Sequence, residues 1–142
     1  MKRRLKDPTD ERGFTLVEVL VVTLIIGVLA AVAIPSFFSQ SIKARDVSAK
    51  QAVDAARLAI ELIGKEKGSF SGVTAADLRA EEPTLFDATL IEPVTTDDTY
   101  TLQVVSSTGT TFTISLDAEG RLDFDCAPLN SGGCPMSGNW SD

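Results

Sequence analysis

Between residues 14 and 38 the chain carries a single charged group, the carboxylate of Glu18. An ionised side chain at the centre of an apolar span costs about 2.5–3.5 kcal/mol on insertion scales, so it is kept for a partner or a task. Directly ahead of the run stands Gly13-Phe14, a peptide bond whose glycine carbonyl no side chain shields. The only other residues with distinctive chemistry are Cys126 and Cys134, in a tail that also holds Pro128, Gly132, Gly133 and Pro135. The sequence has no histidine. With no Cys/His pair and no phosphate-cradling glycine loop, nothing in it composes an acid–base pair, an activated nucleophile or a zinc set, so neither an enzyme nor a cofactor or metal site is expected.

The segment that positions Glu18 reads Arg12-Gly13-Phe14-Thr15-Leu16-Val17-Glu18 and then stays uncharged through Ile34 to Pro35. This string closely resembles the prepilin signature shared by type IV pilins and type II secretion pseudopilins, in which a short basic leader ends in Gly before Phe-Thr-Leu-(apolar)-Glu. The resemblance is strong over roughly residues 2–40; the rest of the chain matches in layout only. It implies that a membrane-embedded prepilin peptidase cuts between Gly13 and Phe14 and methylates the new amino terminus on Phe14. It implies also that Glu18 of a subunit already in a filament attracts the Phe14 amine of an incoming one. That amine has an ordinary pKa of about 7.7–8.0 and is largely cationic near neutrality, and stripping one member from such a pair once buried costs about 3–5 kcal/mol. The residues themselves allow two plainer readings of Glu18, reach to the membrane interface or pairing with its own amino terminus one helical turn away.

A secretory signal places its small-residue cleavage site after the apolar region, whereas here the glycine precedes it, so the apolar segment stays with the mature chain. Lys2, Arg3, Arg4, Lys6 and Arg12 all lie on the amino-terminal side. By the positive-inside rule that end is cytoplasmic and the rest is exported, giving a single pass of the cytoplasmic (inner) membrane and then a periplasmic or extracellular filament. Residues 14–38 exceed the roughly 20 apolar residues that span a bilayer. The pattern then turns amphipathic: Ile42, Ala49, Val53, Ala56, Ile60 and Ile63 recur at helical spacing, opposite Lys43, Asp46, Lys50, Asp54, Arg57 and Glu61. One helix over residues 14–63 would extend about 75 Å, more than twice the hydrocarbon thickness. Pro35 predicts a kink, with Gly27 a second weak point.

The expected fold is α+β: a long amino-terminal helix packed on a small carboxyl-terminal antiparallel sheet of about three strands. Four segments follow, namely a leader (1–13), a hydrophobic helix half for membrane and filament core (14–38), an amphipathic half (39–64) and a globular head with a Cys-bounded loop (65–142). Residues 65–72 read as an exit loop, and Thr74 with Asp77 as a capping box for a short helix that Pro83 ends. Residues 99–105, 111–116 and 121–125 alternate as strands, with turns at 106–109 and 117–120. Leu102, Val104, Phe112, Ile114, Leu116, Leu122 and Phe124 then face inward.

On the exported side a Cys126–Cys134 disulfide is favoured, closing a short loop worth about 2.5 kcal/mol; such a loop resembles that of many type IV pilins more than typical major pseudopilins. The whole chain carries −7. The leader holds five Lys/Arg against three Asp/Glu, a net of +2, which leaves −9 on residues 14–142. An acidic head argues against direct nucleic-acid binding. Likeness to some pseudopilins raises Ca²⁺ for Asp97, Asp98, Asp117, Glu119, Asp123 and Asp125, but acidic turn residues are ordinarily solvated and no metal is expected. The function implied is a structural subunit of a type IV pilus or pilus-like filament. Its partners would be further copies of itself, the prepilin peptidase/methyltransferase and an inner-membrane assembly platform. The alternatives are a type II secretion or competence (DNA-uptake) pseudopilin and, further off, a monomeric membrane-tethered binding domain.

Overall fold

The computed structural model describes residues 13–141, so the basic residues Lys2, Arg3, Arg4, Lys6 and Arg12 of the orientation argument lie outside the described residues. Two units are distinguished, one ending at Phe37 and one running from Phe38 to Asp142. Helix α1 (Leu16–Lys67) contributes to both, and its helical assignment carries through Gly27 and Pro35. It ends four residues later than the periodicity predicted. The stop is not Gly64 but Gly68, whose φ of 73° is the left-handed geometry of a helix-terminating glycine and whose N–H donates to the Gly64 carbonyl at 2.8 Å. Lys65 and Lys67 in the last turn suit the negative end of the helix dipole.

In the second unit α1 buries Asp46, Ala49, Val53, Ala56, Ala59, Ile60, Ile63 and Gly64. The stripe is the predicted one with two corrections. Ile42 is exposed, lying beside Gly132 of the tail loop at the margin of the core. Asp46, expected on the solvated face, is fully buried. Helix α2 (Ala75–Glu81) opens with the predicted capping box: the Asp77 N–H donates to Thr74 Oγ1 at 3.2 Å and the Thr74 N–H to Asp77 Oδ2 at 2.9 Å. It gives way to a short 3₁₀ turn, Pro83–Asp87, led by the proline that cannot continue an α-helix.

The sheet has five strands rather than three. β3 (Tyr100–Val105), β4 (Thr111–Leu116) and β5 (Leu122–Ala127) form the predicted antiparallel meander. Two-residue strands β1 (Thr89–Leu90) and β2 (Val94–Thr95) both pair antiparallel along the free edge of β3. Pieces that short carry no alternation to read, and Pro93 lies between them; only the open edge of β3 makes strands of them. Register places Leu102 opposite Ile114 and Phe112 opposite Cys126, with all four buried on the α1 side. Full burial of Leu102, Ile114, Ile60, Leu78 and Leu85 stabilises the head by about 1.5–3 kcal/mol each. Leu116 and Phe124 are partly buried as expected, but Leu122, at the turn end of β5, is 39% exposed and not a core residue.

Candidate functional site: an apolar segment with one carboxylate, and a latched tail loop

Local sequence determines how α1 begins. Thr15 is its cap: the Thr15 carbonyl accepts the Val19 N–H at 3.2 Å and Thr15 Oγ1 accepts the Glu18 N–H at 3.1 Å. That spacing puts Glu18 in the first turn, where the helix dipole favours an anion. Among the described residues the Glu18 carboxylate has no hydrogen-bond or ion-pair partner. The Thr23 hydroxyl donates to the Leu20 carbonyl at 2.9 Å, which hides its polarity on an otherwise greasy surface. No residue from Gly13 to Phe37 is buried, and Phe14 is 84% exposed. A continuous apolar exterior of this kind is stable only against lipid or other apolar helices, and α1 is long and apolar enough to cross a membrane. Gly13 and Phe14 precede the helix in non-helical backbone.

The second unit holds the buried carboxylate that sequence reasoning misplaced. One oxygen of Asp46 accepts the Thr108 hydroxyl, and the other accepts the Gly133 N–H at 2.6 Å. Burial pushes this carboxyl up, but hydrogen bonds from Ser106, Thr108, the Gly133 N–H and Thr110 outweigh it and hold the group below the ordinary carboxylate range. The signal available in the sequence was the pair Gly132-Gly133: a Cβ on either would strike Asp46, so only glycine lets that strand of the loop reach the carboxylate.

Further along α1, Arg57 bridges Asp54 at 2.9 Å and Glu61 at 3.0 Å, and Glu61 also accepts the buried Tyr100 hydroxyl at 3.2 Å. Burial first, then the Glu61 charge, raises the Tyr100 phenol well above its usual value. Phe70 packs edge-on against Tyr100 with ring centroids 5.0 Å apart. These groups are paired with one another, and with Tyr100 buried beneath the partly exposed Arg57 and Glu61 they brace α1 against β3.

Cys126 and Cys134 form the predicted disulfide, and both are buried. The tail beyond it returns along the outer edge of β5, with the Cys126 N–H on the Gly138 carbonyl at 2.9 Å and the Trp140 N–H on the Phe124 carbonyl at 3.3 Å. Trp140, which no sequence pattern singled out, packs edge-on to Phe112 and Phe124 and donates Nε1–H to the Thr113 carbonyl at 3.3 Å. The Lys50 ammonium lies over the Phe112 and Trp140 rings. Asp117 and Arg121 fasten the β4–β5 turn to itself: the Arg121 N–H and Nε–H each reach the Asp117 carboxylate at 2.8 Å. Among the described residues no group of three or more His, Cys, Asp or Glu side chains is placed to hold a metal ion.

Residues 9–34 match the model of the prokaryotic N-terminal methylation motif. The chain is 33% identical over 106 residues to a fimbrial protein of Pseudomonas aeruginosa, covering 70% of this chain and 69% of that one. It is 40% identical over 60 residues to the type IV major pilin protein PilA of Myxococcus xanthus, covering 42% of this chain. A third relative is the type IV major fimbrial protein FimA of Dichelobacter nodosus, 39% identical over 74 residues, or 49% of this chain. The matches span about a quarter of the Myxococcus protein's length and about half of the Dichelobacter one's. No solved structure matches the chain significantly. With a methylation motif at its amino terminus, a lone carboxylate in an apolar helix, an α+β head closed by a disulfide loop, and two thirds of a fimbrial protein's length aligned, the chain belongs to the type IV pilin family.

Proposed function

We propose that this chain is a structural subunit of a type IV pilus, made as a precursor, cut between Gly13 and Phe14, methylated on Phe14 and polymerised with copies of itself. A prepilin peptidase/methyltransferase and an inner-membrane assembly platform are its partners in that process. The observation that carries this reading is the exposed apolar surface of residues 14–37, interrupted by one carboxylate with no partner among the described residues. A membrane anchor needs the apolar surface but gains nothing from the charge. A polymerising subunit uses both: the surface moves from lipid into a bundle of like helices, and Glu18 neutralises the Phe14 amine that cleavage creates on a neighbour. Pro35 and Gly27 are the points at which the apolar half bends or loosens to fit that bundle. The subunit waits in the cytoplasmic membrane with its amino terminus inside and its acidic head outside. The disulfide loop and the relatives that are named major pilins favour a pilin over a secretion or competence pseudopilin.

Glu18→Ala tests the charge directly. Insertion and cleavage should proceed, because the span only becomes more apolar, while the ratio of mature protein in sheared fibres to mature protein in membranes should collapse. Glu18→Asp should fall between. Entry of the alanine variant into fibres at the wild-type ratio would sink the charge-pair mechanism.

A further inference from the structure

Asp46 joins parts of the head that are far apart in the chain. It sits on α1, yet its carboxylate is shared between Thr108, 62 residues on, and Gly133, 87 residues on. Thr108 belongs to the turn between β3 and β4, which closes through the Ser106 N–H on the Thr110 carbonyl at 2.8 Å. Its hydroxyl stands 3.1 Å from Ser106 Oγ and 3.2 Å from Thr110 Oγ1, so three hydroxyls cluster on the side of the carboxylate that Thr108 reaches. Gly133 belongs to the loop that Cys126 and Cys134 close. The disulfide ties that loop to β5, and the Asp46 contact alone among these bonds ties it to α1.

A carboxylate taken wholly out of water is held there by its donors, and losing one leaves a buried charge short of compensation. Its cheapest response is to turn towards solvent, which abandons the remaining donors as well. We propose that Asp46 is a latch that makes the β3–β4 turn and the disulfide loop open and close as one unit, with the disulfide constraining the loop's path but not its docking on α1. Asp46 is thus a positioning residue for a face of the head that two sequence-distant loops share. The proposal does not depend on filament assembly and holds for the membrane-inserted chain.

Backbone hydrogen exchange read by mass spectrometry, on the full chain in detergent micelles, tests the coupling. Thr108→Val deletes a donor in the turn; exchange in residues 128–135 should then quicken by about tenfold or more, although the substitution lies in a different loop. Gly133→Ala should do the converse to residues 106–110. Thr108→Ser, which keeps the hydroxyl, should restore the wild-type rates in both, and α2 should be unaffected throughout. Reduction of the Cys126–Cys134 bond should leave residues 106–110 at their wild-type rate. If Thr108→Val loosens only its own turn, or if reduction loosens the turn as much as Gly133→Ala does, the loops are held separately or through the disulfide and the latch is overturned.

Discussion

Reducing the Cys126–Cys134 bond removes a cross-link without deleting an atom from the core, so its cost can be worked from the loop it closes. The sequence separation is 8. In the chain-entropy relation a loop of that size restricts the unfolded ensemble by about 2.5 kcal/mol at 25 °C. No further term of similar size is expected, because the loop retains its anchor on Asp46 and the Cys134 N–H keeps the Ser131 carbonyl at 2.9 Å. For a head of this size that corresponds to a fall in melting temperature on the order of 10 °C. Both sulfurs are buried, at 6% and 3% residue exposure, so reductant alone will act slowly on the folded protein. The comparison therefore needs chain unfolded, reduced, and refolded with reductant present. Calorimetry in detergent, oxidised against reduced, with free thiols counted in both samples, gives the difference. A shift under about 3 °C with two free thiols confirmed would refute the entropic reasoning, since 2.5 kcal/mol cannot vanish into so small a change. A shift well beyond 20 °C would refute it from the other side, showing that the loop's docking collapses with the bond.

Tyr100 makes stability fall at high pH. Its folded pKa is raised above the ordinary value of 10.0, so its contribution is fully present below pH 10 and drains away above it as the unfolded chain ionises first; Tyr100→Phe should flatten the alkaline limb of a denaturation series, and an unchanged limb counts against the assignment. Gly64→Ala pits about 1 kcal/mol of helix propensity against overpacking of the Phe70 ring, into which the new Cβ would project. Overpacking costs about 1–3 kcal/mol, so the variant should be less stable and Phe70→Leu should partly rescue it; a melting temperature at or above wild type would contradict this. At Gly27 a Cβ meets nothing within 4 Å, so Gly27→Ala should show no such loss in the monomer.

Much of this protein was settled by short-range physics that a linear reading can follow. The cap of α2 needs only Thr74 and Asp77 three residues apart, and a lone pair of Cys in a glycine-rich tail leaves little choice of partner. The long meander strands declare themselves because alternation over six residues is itself the record of one buried face. The amino-terminal motif is legible for the same reason: its meaning lies in residue types at fixed spacing, with no distant partner required within the chain.

What only the tertiary structure decided concerns residues whose environment comes from elsewhere. Asp46 is charged like Lys43 and Lys50 on the same polar face of the helical pattern, yet it alone of the three is fully buried, because two loops from far along the chain bring hydroxyls and an N–H to it. Ile42 and Leu122 fit their apolar patterns but fall where the core runs out, since a pattern says which face is greasy and not how far the opposing layer extends. Strands β1 and β2 exist because β3 leaves an edge unpaired, and Trp140 finds its aromatic neighbours only when the tail folds back over β5. Periodicity and local capping are properties of adjacent residues, whereas compensation of a buried charge and closure of a sheet edge are properties of residues that meet only in the folded chain.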